Sequence, residues 1–269
     1  MKTSCSPRIE SPSNPRVKTV VQLRQRARRD AMGLTVIEGF REVRCALEYH
    51  HPIQDLYVCP EFFLGKHEGD LITRAETAGT RVFHCSQRAF RKMSYRDRPD
   101  GLLALAPQVR HMLEKLPLGS RAVFLVAESI EKPGNLGTIL RSADAAGADG
   151  VIVCDPATDL NNPNVVRASI GTLFHVPVAE ADVNNTLAWL RNHRVKVVAA
   201  SPHATLDYTA LRMPDRVALV VGSEQYGLSQ PWMENADHLV KIPMLGHADS
   251  LNVASAATLL LYEAVRQRT

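Results

Sequence analysis

Between Ala122 and Ile242 the sequence carries five short, nearly uninterrupted apolar runs: Ala122–Ala127, Gly150–Cys154, Val195–Ala200, Val217–Val221 and His238–Ile242. A strand with one wet face alternates apolar and polar residues. A strand that is apolar at consecutive positions is covered on both faces. Helical candidates separate most of these runs, at Leu136–Ala146, Asn164–Thr172, Asn184–His193 and Ser229–Asn235. Buried strands alternating with helices predict an α/β fold with a parallel sheet. Leu251–Arg268 reads as a long closing helix. It is apolar nearly all round over Leu251–Leu261, which predicts an interior position.

The half of the chain before Ala122 is patterned differently. Lys18–Arg29 suggests a short basic helix, Leu34–Ile37 a strand and Arg41–Tyr49 a helix with Val43, Ala46 and Leu47 inward. Ile53–Cys59 alternates as a strand does, Asp70–Ala78 is helical, and Arg81–His84 and Gly101–Ala106 are further strands. These elements amount to a small α/β domain. The expected organisation is a flexible segment over residues 1–17, a first domain over 18–106, a linker over 107–120 and a second domain over 121–269.

Charge is concentrated rather than large. The net charge is only +4, yet residues 2–30 hold eight Lys and Arg against two acids. A second basic segment holds Arg88, Arg91, Lys92, Arg96 and Arg98, with Tyr95 among them. Clustered cations with an aromatic side chain suit RNA, through phosphate contacts and base stacking. The same runs are also what a solvated basic face looks like. Five cysteines, an odd number without CxxC spacing, predict free thiols and a reducing, cytoplasmic setting. No Cys/His cluster or HExxH predicts a metal site, and no apolar run reaches membrane length.

Three loops hold the polar residues best placed for chemistry. The first follows Ala127 and reads Glu131-Lys132-Pro133-Gly134-Asn135-Leu136-Gly137, leading to Arg141. Asn135 is expected to cap the following helix. Ile139, Ala143 and Ala146 supply that helix's apolar face, so Arg141 points elsewhere. The second loop follows Val221 and reads Gly222-Ser223-Glu224-Gln225-Tyr226-Gly227-Leu228-Ser229. Gly222 sits at a strand's carboxyl end, where open α/β sheets bind ligands. The third runs from Ile242 to Val253 and contains Ser250, expected as an N-cap, and Asn252, expected in the first turn of the buried helix. Alone, each loop is also an ordinary turn from strand to helix. None is a dinucleotide GxGxxG or a P-loop.

Together, in this order and spacing, the three loops resemble the signature motifs of the SpoU/TrmH family of RNA ribose methyltransferases, within the SPOUT superfamily. Ser13-Asn14-Pro15, Val36-Ile37-Glu38-Gly39 and Ser94–Ala104 resemble the substrate-binding domain that many members carry, a ribosomal-protein-like α/β fold. The resemblance implies a parallel sheet with a C-terminal deep trefoil knot, a homodimer, and S-adenosylmethionine held by backbone groups near Ala200, Gly222, Ile242 and Leu251. It implies Asn135, Arg141, Glu224, Ser250 and Asn252 as active-site residues. Many members have aspartates where this chain has Glu128 and Lys132, a difference expected to touch loop support or RNA contacts.

The implied reaction is 2′-O-methylation of a ribose in structured RNA, with 23S-type ribosomal RNA preferred. The RNA footprint is expected to include Arg24, Arg26, Arg28, Arg29, Lys92, Tyr95, Arg96 and Arg98. The alternatives are a transfer RNA substrate and a non-catalytic RNA-binding or ribosome-assembly protein; a nucleotide-dependent oxidoreductase lacks its fingerprint loop.

Overall fold

In the computed structural model, which describes residues 8–268, the chain forms two compact units. One comprises the residues up to Val109 together with Asn161–His175, and the other Arg110–Leu160 with Val176 onward.

The first unit is built in chain order from β1 (Arg8–Ile9), α1 (Pro15–Gln22), α2 (Arg26–Met32), β2 (Leu34–Glu38), α3 (Phe40–Glu48), β3 (Asp55–Val58), α4 (Glu68–Thr77), β4 (Arg81–Cys85), α5 (Gln87–Met93) and β5 (Leu102–Pro107). Its sheet has the order β1-β4-β3-β5-β2 and is mixed: β1, β4 and β3 run parallel, while β5 is antiparallel to β3 and β2. Val17, Val20, Leu23, Val36, Tyr57, Phe90, Met93 and Leu103 form its core. Residues 8–14, expected to be flexible, are part of this unit. Ile9 is buried, and its carbonyl accepts the Ser86 amide at 2.9 Å. Residues 1–7, including Cys5, lie outside the described residues.

The single basic helix read over Lys18–Arg29 is two helices. Asn14 caps α1 by accepting the Arg16 amide at 2.9 Å, with Pro15 at the first helical position. The chain then turns at Leu23–Gln25, and α2 ends at Gly33 in the left-handed region (φ 64°).

The second unit contains β6 (Ala122–Glu128), α6 (Pro133–Ala145) and β7 (Gly150–Cys154). After α7 (Pro163–Ala168), which belongs to the first unit, it resumes with β8 (Val178–Ala181), α8 (Val183–Asn192), β9 (Lys196–Ala200), β10 (Leu206–Asp207), β11 (Arg216–Val221), α9 (Gln230–Asn235), β12 (His238–Lys241) and α10 (Val253–Arg266). Its seven strands are all parallel, in the order β10-β12-β9-β11-β6-β7-β8. The five apolar runs are its consecutive central strands β12, β9, β11, β6 and β7. Phe124, Val126, Ile152, Val197, Val220 and Trp232 are core residues on one face of this sheet. Burial pushes the Cys59, Cys85 and Cys154 thiols up to about 12, so these free thiols are inert.

Two further expectations about helices change. The Asn164–Thr172 helix is only the six residues of α7, because Ile170 and then Gly171 take left-handed conformations (φ 56° and 84°). And α10 is not wrapped on all sides. It buries Val253, Ala254, Ala257, Leu260, Leu261 and Ala264 against α6, β6 and β11, while Leu259 and Tyr262 stay on the surface.

Candidate functional site: a carboxylate that joins three loops

The ends of β9, β11 and β12 are neighbours in the parallel sheet, so their carboxyl-terminal loops open at one edge of the unit. β6 lies next to β11, which brings the loop into α6 alongside. This order places the three loops singled out in the sequence side by side.

Glu224 is where they meet. Its Oε1 accepts the Asn135 side-chain amide at 2.8 Å and the Asn252 side-chain amide at 2.8 Å. Its Oε2 accepts the Lys132 ammonium at 2.6 Å. Asn252 Nδ2 also lies 3.2 Å from Asn135 Oδ1. The hydrogen bond from Lys132 is the largest influence on Glu224 and, with that from Asn135, holds its carboxyl below the usual carboxylate range. Glu224 in turn raises the Lys132 ammonium. All these groups are near the surface.

The caps differ from the sequence reading. Lys132 is the N-cap position of α6, with Pro133 at the first helical position, so Asn135 already lies within the first turn. Its side chain is thereby free to reach Glu224. At α10 the cap is Asn252, whose Oδ1 accepts the Ala254 amide at 3.0 Å. Ser250 lies two residues earlier, exposed, and makes no hydrogen bond among the described residues. Asn252 thus caps its helix with one side-chain atom and binds Glu224 with the other.

Arg141 lies on the solvent face of α6 in line with Gly134, Thr138 and Ala145, one helical stripe with small neighbours. It makes no hydrogen bond or ion pair among the described residues, so its guanidinium is uncommitted. Ser142, one residue on, joins Thr258 of α10 at 2.7 Å and locks the two helices.

Of the residues implied for the cofactor, Ala200 ends β9, Gly222 follows β11, Ile242 follows β12 and Leu251 precedes the cap of α10. Gly222 is required by its own loop: a Cβ there would lie 2.4 Å from the Gly227 carbonyl. Among the described residues no backbone amide from Met244 to Leu251 is spent on a backbone carbonyl or side chain. These donors, and the adjacent strand ends, suit the polar edge of a nucleoside.

Glu128 and Lys132, the two departures from the family pattern expected to touch loop support or RNA contacts, were not among the expected site residues, yet both support the second loop. Buried Glu128, at the end of β6, accepts the Ser229 amide and hydroxyl and so ties the second loop's far end to the sheet. A buried acid ending an otherwise apolar strand was the available signal.

The chain resembles a model described as the SpoU rRNA Methylase family over residues 122–262, slightly more than half of its length. It is 31% identical over 252 residues to a 23S rRNA (uridine(2479)-2′-O)-methyltransferase of Streptomyces viridochromogenes, covering 91% of this chain and 87% of that protein. The chain belongs to the SpoU rRNA methylase family. A second match, to an MRM3-like substrate binding domain, covers residues 14–104. Another SpoU-type relative is the 23S rRNA (guanosine(2553)-2′-O)-methyltransferase of Bacillus subtilis, 31% identical over 94% of this chain and 97% of that protein. The fold agrees with that of an AdoMet-bound rRNA methyltransferase from Sinorhizobium meliloti, with a TM-score of 0.89 at 31% identity over 97% of this chain and 98% of that one. The α/β fold with a parallel sheet expected from the sequence is therefore that of SpoU methyltransferases.

The expected RNA footprint in the first unit divides. Arg26, Arg28, Lys92 and Arg98 are exposed, and Arg28, Lys92 and Arg98 pair with no carboxylate among the described residues. Arg29 is different: it is 2% exposed, and its guanidinium donates to the carbonyls of Leu23 at 2.7 Å and Arg24 at 3.0 Å. It closes the turn between α1 and α2 and does not belong to the basic face. Arg96 is also committed, donating to the Glu38 carbonyl and Glu42 at 2.8 Å each and to Asp100 at 3.2 Å. Arg24 donates to the Ser94 carbonyl at 2.8 Å and lies 5.2 Å from the Tyr95 ring centre. Tyr95 is half-buried and already has a cation on its ring.

Proposed function

We propose that the protein transfers a methyl group from S-adenosylmethionine to a ribose 2′-hydroxyl of ribosomal RNA. The observation that carries this reading is the Glu224 hub. It gathers Asn135 and Asn252 from separate loops while Arg141, on the same helix as Asn135, stays unpaired. The named 23S rRNA relatives align over more than nine-tenths of this chain, which favours ribosomal over transfer RNA.

The cofactor brings an activated methyl group. The chain's task is then to align the hydroxyl and manage its charge. Backbone groups near Ala200, Gly222, Ile242 and Leu251 would hold the cofactor, consistent with the uncommitted amides from Met244 onward. Arg141 is a poor base, because a guanidinium does not give up its proton in a protein. Its role is to stabilise negative charge developing on the ribose oxygen while gripping the neighbouring phosphate. Asn135 and Asn252, fixed through Glu224, orient the sugar, and Ser250 on the third loop supplies a hydroxyl at its rim. The exposed cations Arg26, Arg28, Lys92 and Arg98 hold RNA phosphates.

The reading includes a homodimer. Leu259 and Tyr262 of α10 are large apolar side chains left exposed, as a surface buried by a second copy would have. It also includes the family's trefoil knot, consistent with a terminal helix that returns to pack on α6, β6 and β11. Among the described residues no helix is long and apolar enough to cross a membrane, and the reading, with its ribosomal RNA substrate, includes a cytoplasmic setting.

Ribosomal and transfer RNA treated with the protein and methyl-labelled cofactor, then digested to nucleosides for mass spectrometry, test the reading. Labelled 2′-O-methylnucleoside from ribosomal RNA supports it. Label in transfer RNA alone supports the alternative substrate. No label, with RNA still bound, supports an assembly protein.

A further inference from the structure

Lys132 occupies the N-cap position of α6, yet its side chain caps nothing and reaches across to Glu224 at 2.6 Å. The two carboxylate oxygens divide their partners: Oε2 takes the ammonium, and Oε1 takes both side-chain amides. A carboxylate is planar and rigid, so anchoring Oε2 fixes where Oε1 lies. Asn135 and Asn252 have no other common anchor among the described residues. The Lys132 side chain is 70% exposed and that of Glu224 29%, and a pair so open to solvent adds little to folding stability. What it controls is orientation, on which a transfer reaction depends steeply.

We infer that Lys132 is a positioning residue for methyl transfer, anchoring Glu224 Oε2 so that Oε1 aligns the Asn135 and Asn252 amides. This rests on reading the site as a ribose methylation centre. The groups facing Glu224 are Lys132 before α6, Asn135 in its first turn, and Asn252 and the Val253 amide at the start of α10; Glu131 is the charge beside Lys132. The lysine holds the carboxyl down, so its removal moves the titration of Glu224 upward. The ionised form that binds both amides is then lost at a higher pH as the solution is acidified.

The test compares wild type, Lys132→Gln and Lys132→Arg in the full-length protein. Glu224 is titrated by carboxyl-carbon NMR, with Glu224→Gln for assignment, and methylation is measured from about pH 8 down to about pH 5. In Lys132→Gln the Glu224 midpoint rises. kcat falls on the order of 10-fold to 10²-fold with KM for RNA nearly unchanged, and the loss deepens toward acid. Lys132→Arg, which keeps charge and donor, recovers most of the activity. The thermal midpoints of all three coincide. An unmoved Glu224 midpoint, or a raised midpoint with wild-type kcat at every pH, overturns the inference. If wild type itself transfers no methyl group, the functional reading falls and takes the role of Lys132 with it, although the NMR titration still reports the ion pair.

Discussion

Glu128 accepts two hydrogen bonds from Ser229, the amide at 2.9 Å and the hydroxyl at 2.5 Å, across 101 positions of sequence. One buried carboxylate thereby ties the end of β6 to the start of α9 and closes the loop that presents Glu224. Glu128→Ala leaves the Ser229 amide and hydroxyl without this acceptor. It is expected to cost about 1–3 kcal/mol, seen as a lower thermal midpoint, and to lower methylation through disorder of Glu224. Glu128→Gln retains one acceptor and falls between. An unchanged midpoint in Glu128→Ala would remove the bridge from any structural role.

Arg141 tests the chemistry. Its side chain is exposed and supports no packing, so Arg141→Ala should fold and melt as wild type does. Single-turnover methylation at saturating RNA should fall on the order of 10²-fold or more, because the interaction strengthens toward the transition state. Arg141→Lys should recover little, since an ammonium cannot make the two-pronged contact. Single-turnover rates near wild type in Arg141→Ala would exclude a catalytic role.

The arginines of α2 should separate by burial. Neutralising Arg26 and Arg28 is expected to weaken RNA binding and flatten its salt dependence, with stability unchanged, because phosphate contacts release counterions. Arg29→Ala should do the reverse. It unmakes the bonds to the Leu23 and Arg24 carbonyls and lowers the melting temperature. Binding isotherms at several salt concentrations, set beside thermal melts, distinguish the two patterns. Equal loss of RNA affinity in both would mean that burial does not sort these residues.

Truncation should be costly. Residues 161–175 belong to the first unit: the Thr35 hydroxyl donates to the Asn161 carbonyl at 2.8 Å, Val109 exchanges hydrogen bonds with the Asn161 side chain at 2.7 and 3.0 Å, and α7 packs on β2. A fragment covering residues 121–269 bares Val165, Val166 and Leu173, all buried in the full chain. It is expected to aggregate or bind hydrophobic dye in size-exclusion runs where the full chain is monodisperse. A monodisperse fragment with a cooperative melt would contradict this.

The central strands were legible because burial on both faces leaves little choice of residue. β8 was not, because Glu180 interrupts its run and it lies at the sheet edge, where one flank needs no apolar neighbour. β1 and β10 are two residues each, too short for any period. In the site, the loops could be found from their polar residues, but their wiring could not. Asn135 reads as a cap in the sequence because Asn is a good one. Only the position of Pro133 at the start of α6 moves it inward. Ser250 and Asn252 compete for the same cap, and the chain gives it to Asn252. Arg29 looks like its neighbours in a run of arginines, and only the break between α1 and α2 turns it inside.

The excursion of residues 161–175 also bears on inheritance. The chain passes between the two units three times, after Val109, Leu160 and His175. A recombination event that replaces only the leading stretch of the gene would bring in a sheet whose matching helix is encoded elsewhere. A workable exchange of the RNA-recognition unit between relatives has to carry both stretches together. Changes in Asn161–His175 are therefore expected to track those in β2 and α3 more closely than those in the strands that flank the segment in sequence.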